Sequence, residues 1–351
     1  MTRHPRFTVV VPAKDAGEFL ADALTSLTRQ VDDPDDLQVV VVDDGSSDDT
    51  AQVAGRFTSS LRHLDVITNP EAVGLASARN QGLGIARGRW IAYLDADDWM
   101  APGRLPALAR AATGLGCAWV RTDHVAVAGR ERRLVRAHEP RRARRLDPTD
   151  SILPADIATM VDYPFAWAGL FDLAMASDGM LTFEDGLRTA EDRPWIWNLH
   201  LNGPSYAVVD APALCYRRGV SSSLTQVFDE RQLDFARAFH TARQTLDAHP
   251  AHDLYLGKYV RTVLAITAHH LIRVGRAIQE GSDEGRGPSY EGACRLEPAL
   301  LATAAELLAT LPAEQVEIQL QGTSDERQAA LAPLLHRGAV GAADARRGVL
   351  R

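Results

Sequence analysis

Residues 90–100 read WIAYLDADDWM. An apolar run of the kind that forms a buried strand ends in three carboxylates within four positions, Asp95, Asp97 and Asp98. Like charges this close repel, and burying them without partners is strongly unfavourable. A divalent cation would resolve the conflict. All-oxygen ligation favours Mg2+ or Mn2+ over Zn2+. Such sites use one or two carboxylates and draw their other ligands from phosphate and water. The stretch therefore predicts a metal and a phosphorylated ligand at a strand tip. A solvated acidic turn, or Asp98 capping a helix that starts at Trp99, accounts for the same residues without any ligand.

Further apolar, β-branched runs lie on either side: FTVVVPA (7–13), LQVVVVDD (37–44), LDVITN (64–69) and CAWVRTD (117–123). Between them, residues 17–30, 49–60 and 74–87 carry helical spacing. Strand and helix alternating over short connections predict βαβ units and a mostly parallel, buried sheet. Ligands of such sheets bind at the carboxyl ends of the strands. Pro12-Ala13-Lys14-Asp15, Asp43-Asp44-Gly45-Ser46 and Asp95-Ala96-Asp97-Asp98 occupy those ends and should converge on one crevice. GLGIARG (82–88) imitates a dinucleotide fingerprint, but it closes a helical segment instead of following the first strand, which argues against NAD.

Residues 130–145 carry eight arginines against Glu131 and Glu139. They read as a loop or ragged hairpin, either simply solvated or serving as a platform for an anionic acceptor or lipid headgroups. From 155 to 220 the pattern is mixed, with short strands such as SYAVVDAP. Beyond 228, three segments (229–247, 258–278 and 297–311) space apolar residues at three and four, as a helical bundle does, and offer a surface for homo-oligomers. EGSDEGRGPSYEG (280–292) reads as a linker, and residues 316–351 as an irregular tail. The adjacent His269 and His270 do not share a helix face and read as structural.

The chain has 351 residues, 46% hydrophobic and 24% charged, which is ordinary globular composition. Cys117, Cys215 and Cys294 are scattered and odd in number, so neither a disulfide framework nor a thiolate zinc site is expected. The N-terminal apolar run is too short for a secretory signal, and no stretch reaches the roughly 18 to 20 residues of a membrane span. Those features predict a cytoplasmic protein. A net charge of −8 argues against nucleic acid as a partner.

VVVPAKDAGEFLADALTSLTRQ (9–30), VVVVDDGSSDDT (39–50), NPEAVGLASARNQGL (69–83) and GRWIAYLDADDWMAPGRL (88–105) follow one another in the order and spacing of family 2 glycosyltransferases, which this chain resembles. The resemblance is strong over residues 6–125 and fades towards 225. It implies an α/β GT-A fold, Rossmann-like with a mostly parallel central sheet flanked by helices, in a catalytic domain of residues 1–225. A helical C-terminal region (226–315) and the tail would follow. It also implies an inverting, metal-dependent transfer of a hexose or N-acetylhexosamine from a nucleotide diphosphate sugar, by preference UDP-linked. The acceptor would be a hydroxyl of a surface polysaccharide, a teichoic-acid-like polymer or a lipid-linked glycoconjugate.

Carried over residue by residue, the resemblance has Pro12, Ala13 and Asp15 lining the nucleotide pocket. Asp44, with or without Asp43, would accept hydrogen bonds from the base. Arg79 and Asp95 would sit by the nucleotide, Asp97 by the donor sugar or the metal, and Asp98 would be the direct ligand of Mn2+ or Mg2+. In AEDRPWIW (190–197), Asp192 takes the part of catalytic base with Glu191 in support. Direct displacement at the anomeric carbon needs a carboxylate on the face opposite the leaving phosphate. Acids at the start of a helix also suit its dipole, so a structural role is compatible. Trp195 and Trp197 would either give the acceptor sugar an apolar platform or pack the core. Arg217 and Arg218 stand where relatives close a basic segment over the diphosphate, although no His is present and Gly219 follows; two surface arginines would read the same. Two rival functions remain. One is a phosphatase of the haloacid dehalogenase type, whose DxD lies on the first strand and not the fourth. The other is a silent scaffold that binds a nucleotide sugar or polymer.

Overall fold

The computed structural model describes residues 4–219, 227–284 and 287–335. Its strands are β1 (Phe7–Ala13), β2 (Leu37–Asp44), β3 (His63–Asn69), β4 (Trp90–Tyr93), β5 (Trp99–Met100), β6 (Trp119–Arg121), β7 (His124–Ala128), β8 (Glu131–Val135), β9 (Gly169–Asp172), β10 (Tyr206–Val208) and β11 (Leu214–Arg217). Its helices are α1 (Gly17–Leu27), α2 (Thr50–Gly55), α3 (Leu75–Gly84), α4 (Arg104–Leu115), α5 (Asp192–Asn202), α6 (Asp234–Asp247), α7 (His252–Glu284), α8 (Pro288–Ala309) and α9 (Ala313–Gln321). The chain divides into two compact units. The first joins Met1–Ser151 to Thr159–Val220, and the second joins Ile152–Ala158 to Ser221–Arg351.

A seven-stranded sheet in the order β10-β6-β9-β4-β1-β2-β3 forms the centre of the first unit. Strands β3, β2, β1 and β4 are mutually parallel, as the alternating sequence predicts. Strand β9 runs antiparallel between β4 and β6. Every residue of β1 and β2 is buried, which is why both read as unbroken β-branched runs. Each such Val or Leu contributes about 1.5–3 kcal/mol by leaving water. Helix α3 lies close against this sheet because Gly82 has no side chain; a Cβ there would meet Val10 Cγ1 at 2.3 Å. The glycine of the false fingerprint is thus a packing glycine.

Pro12 sits in a central strand without breaking it. Leu94 N–H donates to Val10 O, so alternate residues of β1 face β4. The β1–β4 ladder ends at Val10 and Tyr93, and the missing N–H of Pro12 falls where β4 has turned away. Strand β4 stops at Tyr93, and the acidic residues form a turn closed by Asp98 N to Asp95 O at 3.0 Å. A second sheet, β5-β11-β7-β8, continues from that turn.

The second unit is helical, with α7 packing against α6, α8 and α9. The expected linker is mostly helix: α7 runs to Glu284 and α8 starts at Pro288, whose fixed φ and missing N–H suit a first turn. The expected irregular tail is helical at Ala313–Gln321 and again over residues 325–335; the remainder lies outside the described residues. Among the described residues no single helix is long and apolar enough to cross a membrane.

The arginine-rich segment is a β7–β8 hairpin followed by a loop pinned to the sheet by bridges from Arg142 and Leu146 to β10. Two of its arginines are committed to structure. Arg141 grips Glu139, which is 2% exposed, through Nε at 2.8 Å and Nη2 at 2.9 Å. Arg142 Nη1 donates to Asp123 at 2.8 Å. The platform reading therefore fails for this pair. Arg141→Ala should lower stability by about 2 kcal/mol, the worth of hydrogen bonds to a buried carboxylate, without changing nucleotide binding. A melting curve paired with calorimetry checks both halves.

Candidate active site

The site forms at the carboxyl ends of β1, β2 and β4, where the βα loops are laced together. Asp15 adopts a left-handed φ of +47°, which aspartate tolerates, and so aims its side chain at the next loop. Its Oδ1 accepts from Ser47 N at 2.7 Å and Ser47 Oγ at 3.0 Å. Those donors, Ser47 N–H first, hold its carboxyl below the usual range. Lys14 Nζ donates to Gly45 O at 2.9 Å, and Thr50 Oγ1 accepts from Ala16 N at 2.8 Å. Gly45 turns this loop at φ +68°, where a Cβ would strike Ala72 N at 2.6 Å. Asp15, just past Pro12 and Ala13 at the buried end of β1, is thus held in place before any ligand arrives.

The two carboxylates ending β2 differ. Asp44 accepts from Asn69 Nδ2 at 2.9 Å, Val73 N at 2.7 Å and Gly74 N at 2.9 Å. Its oxygens hold the loop that leads into α3. Among the described residues Asp43 accepts from Ser46 N, at 3.2 Å through Oδ1, which leaves Oδ2 outside these contacts. Asp44 thus anchors the loop, and Asp43 is the carboxylate with more acceptor capacity left.

The acidic turn is more constrained than its sequence implies. Asp98 is fully buried; its Oδ1 accepts from Arg217 N at 2.7 Å, while Oδ2 has no partner among the described residues. Burial, then the charges of Asp95 and Asp97, push its carboxyl well above the usual range. Burial, then the charge of Asp95, raises Asp97 to about 6. An unpartnered buried carboxylate oxygen with a second carboxylate beside it is a donor set that fits a hard cation. Among the described residues no group of three or more ligating side chains stands ready-made.

Arg217 clamps this turn. Its Nε donates to Asp97 O at 2.8 Å, Nη2 reaches Asp22 at 2.9 Å, and the guanidinium lies 4.9 Å from the rings of both Phe19 and Trp99. A guanidinium so engaged is a structural bracket, which corrects its reading as a phosphate ligand. Arg218 is exposed beside Tyr216.

Arg79 joins the two acidic segments. It is 3% exposed, and donates through Nη2 to Asp95 at 3.0 Å and through Nη1 to Glu191 at 2.6 Å. Asp192 opens helix α5 beside them. Burial comes first in raising the pKa of both Glu191 and Asp192; Arg79 opposes the rise in each. Trp195 and Trp197 are 2% and 0% exposed. Trp195 stacks on Phe183 at 5.1 Å. Neither ring offers a face to an acceptor, so their expected role is corrected to core packing. Sequence reasoning missed Arg121, a fully buried cation at the end of β6 whose Nε and Nη1 have no partner among the described residues and which feels the charge of Asp192.

Residues 8–173 match the model of glycosyl transferase family 2. Over those residues, just under half of the chain, it carries a glycosyl transferase family 2 domain. Within that family it is 39% identical over 100 residues to the succinoglycan biosynthesis protein ExoU of Rhizobium meliloti (strain 1021), covering 28% of each chain. It is 31% identical over 193 residues to ExoO of the same organism, covering 54% of this chain and 53% of that one. The chain thus spans less than two thirds of the length of the curated relatives it matches. Among solved structures it resembles S. aureus TarS 1–349 in complex with UDP-GlcNAc, with a TM-score of 0.65 at 16% identity over 93% of this chain and 90% of that one. At that identity the likeness carries the fold, the GT-A arrangement of a mostly parallel sheet with C-terminal helices.

Proposed function

We propose that the protein is an inverting, metal-dependent glycosyltransferase. It moves a hexose or N-acetylhexosamine from a nucleotide diphosphate sugar to a hydroxyl of a surface polysaccharide or related glycoconjugate. The observation that carries the reading is Arg79, whose one guanidinium holds Asp95 of the acidic turn and Glu191 beside Asp192, 112 residues along the chain from it. A donor-side carboxylate and a base-side carboxylate thus meet at a single fixed cation. UDP is the favoured nucleotide, in keeping with the fold shared with a protein solved with UDP-GlcNAc.

Asp15, with Pro12 and Ala13, bounds the nucleotide, and the open oxygen of Asp43 accepts from the base. Asp97 and Asp98 would hold Mn2+ or Mg2+. When bound, such an ion neutralises charge on the departing diphosphate. Arg218 is the exposed arginine available to the same phosphates. Asp192 takes the proton from the acceptor hydroxyl; that oxygen bonds to the anomeric carbon as the bond to the phosphate oxygen breaks, and configuration inverts. Glu191, anchored on Arg79, orients the start of α5.

Calorimetry with UDP, GDP, dTDP and CDP, each with and without Mn2+, tests the donor half. One nucleotide should bind, and Mn2+ should tighten it. In Asp97→Asn and Asp98→Asn that metal-dependent tightening should fall by at least about tenfold, while binding without metal holds. Binding of no nucleotide in either condition would reject the reading.

A further inference from the structure

The acceptor must lie between the donor's acidic turn and the base, and the first unit builds an aromatic surface in that interval. Trp167, 3% exposed, stacks against Phe165 at 4.8 Å and Tyr216 at 5.2 Å. Phe165 and Tyr216 are half-buried, their centroids 6.3 Å apart, and the exposed Arg218 guanidinium lies over the Tyr216 ring at 5.5 Å. His124 supports the group edge-on, 4.8 Å from Trp167 and 5.0 Å from Phe165. Its Nδ1 lies 2.6 Å from the Tyr163 hydroxyl, which in turn donates to Thr122 O. The floor is therefore pinned.

Two chains of contact locate this surface. On one side Tyr216 precedes Arg217, whose N–H holds Asp98. Burial acts first on the Tyr216 hydroxyl, then Arg218 opposes it, and the charges of Asp95 and Asp98 come after. On the other side Phe165 meets Tyr163 edge-on at 4.9 Å, and Tyr163 lies 5.6 Å from the Arg121 guanidinium, which feels the charge of Asp192 and reaches within 6.0 Å of Trp195 on α5. The rim is cationic. Arg133 is exposed on β8, in register with Tyr216 across the small Ala126, and its charge acts on His124.

We propose that Phe165 and Tyr216, backed by Trp167, form the acceptor subsite, stacking the apolar face of a sugar ring whose anionic substituent meets Arg133. The inference rests on the transferase reading and names the acceptor class for it: an acidic glycan. Aromatic rings supply large, rigid contact area to the C–H face of a sugar while leaving its hydroxyls free, which is what a nucleophilic hydroxyl requires.

The test is binding of oligogalacturonate and of neutral maltohexaose to the full chain by saturation-transfer NMR, with UDP absent and present. Wild type should bind oligogalacturonate and prefer it to maltohexaose, the preference fading in high salt. Tyr216→Leu and Phe165→Leu should weaken that binding by roughly three- to tenfold, and Tyr216→Phe, which keeps the ring, should retain it. Arg133→Gln should abolish the preference for the acidic sugar. Melting curves identify any variant that fails to fold, and the ring-keeping variant and Arg133→Gln keep the test decisive if one does. Binding of neither sugar, equal binding of both, or Tyr216→Leu behaving as wild type would overturn the proposal. UDP binding is read in the same samples; its absence would count against the proposed function and not against the platform.

Discussion

Asp192→Asn should lower kcat by roughly a hundred- to ten-thousandfold, the usual contribution of a positioned general base, while nucleotide affinity stays within about twofold of wild type. The split follows from where Asp192 lies. It opens α5 and is none of the residues proposed to hold the nucleotide or the metal; its neighbours are Glu191, Arg193 and the Arg79 ion pair, and the charge of Asp95 also reaches it. Asparagine fills the same space but cannot take a proton, so donor binding survives and acceptor activation does not. The pH profile gives an independent readout. Burial, the largest influence, outweighs Arg193 and Arg79 and raises the Asp192 carboxyl from its ordinary value. A base works only when ionised, so activity should fall as pH drops, with the acid limb of kcat/KM above the ordinary aspartate value of about 4. Residual activity of Asp192→Asn should lack that limb. Full activity in the variant would remove the assignment.

What the sequence made legible, and what it hid, divides along one physical line. Strands β1 and β2 are buried throughout, so burial alone writes them as Val-rich runs, and the parallel arrangement places their ends at one edge of the sheet. Each hidden feature depends on a partner distant in the chain. Asp43 and Asp44 are indistinguishable until Val73 and Gly74 fold back onto one of them. Arg217 reads as a phosphate ligand until Asp22, 195 residues away, is seen holding its other end. Trp195 and Trp197 carry no sign in a helical pattern of which side is solvent, and both proved to be core. The acceptor surface was missed for the same reason. Phe165 and Trp167 precede β9 and Tyr216 lies in β11, two segments with no shared motif that meet only in the folded unit.

Arg79→Met should lower stability by about 3–5 kcal/mol, the usual loss when one partner of a buried ion pair is removed. For a unit of this size that corresponds to a fall in Tm of roughly 10 °C. Methionine replaces the bulk of the side chain but leaves Glu191, 5% exposed, and Asp95 without their shared counter-charge. The deficit belongs to stranded charge more than to lost packing, and this makes it recoverable. Arg79→Met with Glu191→Gln should be more stable than Arg79→Met alone, because a neutral amide no longer needs a cation; the coupling is read from the double-mutant cycle. The sign of the pH dependence follows. In Arg79→Met the folded-state pKa of Glu191 rises further above the ordinary glutamate value of about 4.3, so the protonated form is favoured in the folded chain. The deficit relative to wild type should therefore be smallest in acid and grow as pH rises through the raised pKa. A deficit that is flat with pH, or a double variant no more stable than the single one, would mean that Arg79 acts through packing against Phe183, which its guanidinium approaches to 5.1 Å, and not through charge.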